Sequence, residues 1–264
     1  MVSREPKLSV GGLLGLWMAD QVRILSFHLP SRGMADHANR YLLCGLFVTW
    51  LAGLGRYWDH PSAQWWQYAG LGSVAYVFVL SALLWLVVVP LRPERWTYRS
   101  VLVFVTMTSL PALLYAIPVE RSVDAAEASA LNATFLKIVA LWRLALLIWF
   151  LRHFAKLEWP QAVVTALLPM ALIVITLGML NLEQAVFQIM AGIRDREPTP
   201  YDDAYAVVVT LNFLSIVLSP ALIGFYLGAI IQASNRRRDE RIAAARRAAL
   251  IGDRPAPMED DSTT

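Results

Sequence analysis

The chain has 264 residues, 57% of them hydrophobic and only 16% charged, whereas a soluble domain is about half apolar and about a quarter charged. That balance excludes an ordinary soluble enzyme or binding module. The small net charge of +3 does not point to nucleic acid, and a single cysteine, Cys44, excludes an intramolecular disulfide framework.

The first 40 residues read as a cytosolic, membrane-associated segment. Arg4 and Lys7 precede an apolar stretch from Leu8 to Met18, but Asp20 and Arg23 interrupt it and no small-residue cleavage pattern follows. A removable leader is therefore not expected. On a helical wheel Leu14, Met18, Val22, Leu25 and Leu29 share one face, opposite Ala19, Arg23 and Ser26. The same two charges oppose a span, so the expectation is an interfacial helix over 12–29 lying on the inner leaflet.

Apolar runs then recur near 41–58, 69–91, 99–118, 131–151, 161–182 and 205–231. Each reaches or approaches the roughly 20 residues that cross a hydrocarbon core of about 30 Å. Helices are required, because only a helix pairs every backbone group within one segment. The expected fold is an all-α, polytopic transmembrane helix bundle of about six spans.

Basic residues orient it. With the N-terminus inside, only Arg56, Arg121, Arg194 and Arg196 fall in outer loops, while Arg92, Arg95, Arg99, Arg152, Lys156 and the tail arginines fall inside. Acidic residues such as Asp59, Glu120, Asp124, Glu183 and Asp203 fall outside. This is the positive-inside pattern, and it predicts both termini in the cytosol. Trp58, Trp65, Trp66 and Tyr68 on one side, with Trp96, Tyr98 and Trp159 on the other, suit the headgroup level. The preference for Arg over Lys fits a GC-rich genome and hence a bacterial inner membrane.

Residues 232–252 are rich in Ala and Arg and read as a basic helical continuation of the last span. Arg236, Arg237, Arg238 and Arg241 are placed to attract anionic lipid, at about 1 kcal/mol each. The tip, 253–264, reads as disordered. Gly224 and Gly228 form a GxxxG pattern, which lets helix backbones approach; packing within the bundle is the expected use.

Ionisable residues inside a membrane are costly and so are candidate functional groups. Lys137 and Arg143 both lie on the fourth run. They are about 120° apart on a helix and do not form one charged stripe. Pro111 should free the carbonyl of Met107, and Arg143, at similar depth, is its expected donor. Pro111, Pro169 and Pro220 each sit mid-run, and Asn212 adds an amide. Broken helices of this kind present carbonyls to substrates in transporters.

The sequence carries no catalytic motif, no metal-ligand spacing and no nucleotide loop, and no cofactor is expected. The expected function is that of a non-catalytic multi-pass membrane protein acting through membrane or protein partners. The alternative is a small-solute or ion transporter using proline-broken helices around Arg143.

Overall fold

The computed structural model describes residues 9–57, 65–93, 96–117, 119, 123–180 and 203–252, and all regular structure among them is helical. The helices are α1 (Val10–Leu25), α2 (Arg32–Asp36), α3 (Ala38–Tyr57), α4 (Trp65–Tyr68), α5 (Leu71–Val88), α6 (Tyr98–Met107), α7 (Ala125–His153), α8 (Trp159–Met179) and α9 (Asp203–Gly252). Short 3₁₀ turns follow α5 at Val89–Leu91 and α6 at Leu110–Ala116.

Among the described residues, four helical segments are long and apolar enough to cross a membrane: Leu71–Leu91, Ala133–His153, Trp159–Met179 and Val209–Arg247. The chain is thus an all-α, multi-span membrane protein. The third apolar run is not one α-helix. It is α-helical only to Met107, because Pro111 has no N–H for the Met107 carbonyl and its ring crowds that carbonyl. Pro169 and Pro220, by contrast, lie inside the continuous helices α8 and α9.

The short helix α6 is the hub, with every residue from Val101 to Ser109 buried. Around it pack Trp17 and Ile24 of α1, Tyr41 of α3, Val77 and Leu84 of α5, and Leu146 and Phe150 of α7. Phe104 and Phe150 stack with ring centroids 3.9 Å apart. Glycines set two close approaches. A side chain at Gly45 of α3 would strike Thr106 of α6, and one at Gly53 would strike the Gly70 carbonyl. Gly70 itself has a φ of 67°, the left-handed region that glycine enters without strain.

A second cluster joins Val88, Leu91, Leu151, Ala155, Ala162, Ala166 and Ala229, and it roots α8 and α9 beside the lower ends of α5 and α7. Polar contacts fasten the same region. Tyr226 donates to the Val87 carbonyl at 2.5 Å, and Arg237 donates to the Arg92 carbonyl at 2.8 Å. Arg236 pairs with Glu158, the residue that also caps α8. α9 has 50 residues and so runs about 75 Å at about 1.5 Å per residue, more than twice the thickness of a hydrocarbon core.

Candidate functional site

The most unusual feature of the bundle is a buried polar layer where α6 breaks. Ending a helix inside the core orphans its last carbonyls, and nothing apolar can satisfy them. Here local side chains do most of the work. The hydroxyls of Thr106, Thr108 and Ser109 donate to the carbonyls of Val103, Val105 and Thr106 at 2.8, 3.0 and 2.6 Å. The Thr108 N–H takes the Phe104 carbonyl. That leaves Met107, whose carbonyl accepts from Nε2 of Gln21, on α1.

The adjacent residue, Asp20, is equally buried: both it and Gln21 are 1% exposed. A buried carboxylate needs donors on its oxygens. Asp20 accepts from the Ser31 N–H, the Ser31 hydroxyl and the Tyr41 hydroxyl, each at 2.7 Å. Two of those bonds tie α1 to the segment just before α2, and the third ties it to α3. The buried strip of α1 is therefore Trp17, Asp20, Gln21 and Ile24, while Leu14, Met18, Val22 and Leu29 are exposed. Nε1 of Trp17 and Oε1 of Gln21 are buried without a partner among the described residues.

The expected donor to Met107 was Arg143. Arg143 is half-buried on α7 and has no hydrogen bond or ion pair among the described residues. The contact fails because an amide one helix nearer reaches the carbonyl first, and a neutral amide enters a low-dielectric layer at less cost than a guanidinium. Lys137 is exposed on α7. Asn212 of α9 is half-buried and lies so close to Gly178 of α8 that no Cβ fits between them. No hydrogen bond joins Arg143 to Asn212 among the described residues.

The three prolines also part company. Pro111 and Pro169 are buried, and Pro220 is exposed. The carbonyl that Pro220 frees, on Ile216, accepts from the Ser219 hydroxyl at 3.1 Å. The carbonyl that Pro111 frees is held by Gln21. Near Pro169, the Thr165 hydroxyl is buried without a partner among the described residues. No group of three or more His, Cys, Asp or Glu is placed to hold a metal ion among the described residues. The acidic residues Asp195, Glu197 and Asp202 lie outside the described residues.

Sequence reasoning missed Asp20 and Gln21 as structural polar groups. It treated Asp20, with Arg23, as a reason against a membrane span. The available signal was the supply of hydroxyls nearby, Ser31 and Tyr41, and the carbonyl that Pro111 must leave open.

The chain matches no protein-family model, no curated protein and no solved structure. What the fold and site define is a class: a multi-pass, helical membrane protein whose interior polar groups are largely engaged with one another.

Proposed function

We propose that this protein is non-catalytic and works through its neighbours in the bilayer, with α9 as the contacting element. One observation carries this reading. The most apolar 18-residue stretch of α9 has no buried residue, against 22–39% buried in the other three long apolar segments. Among the described residues nothing lies within 4 Å of a Cβ added at Gly224 or Gly228, so the GxxxG face is open to the described bundle rather than used within it. The carbonyls that Pro111 and Pro220 free, on Met107 and Ile216, are already occupied by Gln21 and Ser219, which supports this reading over transport.

In this reading the chain crosses the membrane about six times, counting α3 and the broken third run, and both termini face the cytosol of a bacterial inner membrane. The basic part of α9 lies along anionic lipid. Arg236 and Arg237 are already bonded to Glu158 and Arg92, which leaves Arg238 and Arg241, both exposed, as the pair that meets anionic headgroups from the aqueous side.

The test is isolation in native-membrane nanodiscs. A defined partner should accompany the wild-type chain and be lost from Gly224→Leu/Gly228→Leu, while the variant keeps its own thermal stability. Retention of the same partners by that variant, or solute flux through purified protein in liposomes, would contradict the proposal.

A further inference from the structure

We infer that α1 enters the bilayer as a re-entrant half-helix, with its Leu14–Met18–Val22 face against lipid acyl chains rather than lying on the inner leaflet. Two independent contacts measure its depth. The Met107 carbonyl that Gln21 binds lies nine residues along α6 from Tyr98, about 14 Å at about 1.5 Å per residue. The Leu25 carbonyl, at the end of α1, accepts from Nε1 of Trp142 at 3.1 Å. Trp142 lies eleven residues along α7 from His153, about 16 Å by the same rise. Tyr98 and His153 both lie at the arginine-rich end of the bundle, where Arg99 bonds Asn39 and Arg152 bonds the Leu157 carbonyl. Half of a hydrocarbon core is about 15 Å. The C-terminal end of α1 therefore reaches the middle of the membrane that α6 and α7 cross.

The direction of entry is also given. Leu16 packs against Gly33 of α2, five residues before α3 begins. The N-terminal half of α1 is thus at the arginine-rich end and Leu25 is the deep tip.

A helix end in hydrocarbon must satisfy its own carbonyls, and this one does. The Val22 carbonyl accepts from the Ser26 N–H, that of Arg23 from His28 and that of Ile24 from Phe27. Leu25 takes the indole of Trp142. Phe27 has a φ of 60°, the left-handed position that closes such a cap and usually falls to glycine. On the return path Pro30 has no N–H, and Ser31 gives its own to Asp20. From Ser26 to Ser31, among these described residues, only Leu29 is left with an unbonded N–H, while the carbonyls of Ser26 to Pro30 take no donor and are left to water drawn in beside the exposed His28.

The outward side chains suit the same depth. Leu14, Met18 and Val22 are 47%, 52% and 60% exposed. Arg23 is exposed near the tip, and an arginine stem is long enough to carry its charge back toward the headgroups. The inference rests on α6 and α7 crossing the membrane and is independent of what contacts α9.

Depth-dependent quenching tests it. In a Cys44→Ser background, a fluorophore on Val22→Cys is reconstituted in phosphatidylcholine vesicles carrying nitroxide at acyl carbon 5 or carbon 12. Val79→Cys on α5 serves as the lipid-facing reference and Arg241→Cys as the aqueous one. Quenching of Val22→Cys should be at least twofold stronger from carbon 12 than from carbon 5, with labelling by membrane-impermeant maleimide at least tenfold slower than at Arg241→Cys. Stronger quenching from carbon 5, or labelling at the Arg241→Cys rate, would overturn it. Met18→Cys gives a second reading at intermediate depth, and it too must be protected from the impermeant reagent.

Discussion

Gln21 is the residue on which the polar layer depends most. Interhelical hydrogen bonds in membrane proteins contribute about 0.6 kcal/mol on average and up to about 1.7. Gln21→Leu should therefore lower stability by about 1 kcal/mol, read as a reduced Tm in detergent. Restoring a backbone donor should remove that dependence. In Pro111→Ala the new N–H can serve Met107, so Gln21→Leu should cost much less in that background; an equal cost in both would show that the amide contributes only packing. Asp20 holds three donors, Tyr41 only one of them. Asp20→Ala should lower Tm more than Tyr41→Phe does, since it strands two hydroxyls and an N–H in the core, and the reverse order would contradict this account of the cradle. At this scale the sequence was partly legible. Pro111 pointed correctly to an open carbonyl at Met107. It did not reveal the donor, because wheel and charge both favoured an interfacial position for α1, and the true partner depended on Ser31 and Tyr41 making Asp20 tolerable.

Among the helices, glycine separates contacts that are made from one that is open. Gly178 of α8 lies against Asn212 of α9, with no room for a Cβ, whereas Gly224 and Gly228 face open space. Gly178→Ala must turn the Asn212 amide aside and should lower Tm of the purified protein slightly, while Gly224→Ala and Gly228→Ala leave it unchanged or slightly raised, alanine being the better helix former. Equal losses at all three sites would mean that α9 is held differently. The sequence showed Gly224 and Gly228 as a pattern but not its use, because a GxxxG motif has the same spacing whether the partner helix is in the chain or outside it. Helix breaking was likewise uneven. All three prolines remove a donor, yet only α6 stops, since Thr106, Thr108 and Ser109 there supply hydroxyls that take over the terminal carbonyls.

For the whole molecule, the membrane class was legible from apolar run length alone, and four of the runs correspond to segments long and apolar enough to span. The first run was harder to judge: α3 carries Arg40 and Arg56 and is not among those four. The topology reading predicts that cysteines placed at Arg92 and Arg241 react with impermeant maleimide only from the cytosolic side, and one at Arg121 only from the opposite side. Labelling of Arg92→Cys and Arg121→Cys from the same side would reduce the number of crossings. What run length could not show is how unevenly the bundle is packed, with α6 enclosed on all sides and α9 packed along α8 on one face only, bonded at its root by Tyr226, Arg236 and Arg237. That asymmetry is the basis for assigning α9 an external contact. It is tested most directly by a photo-crosslinking side chain at Phe225 in native membranes, with Tyr76 of the exposed α5 face as reference. The account predicts a discrete polypeptide adduct from Phe225 and lipid adducts alone from Tyr76. Lipid adducts alone from both positions would contradict it.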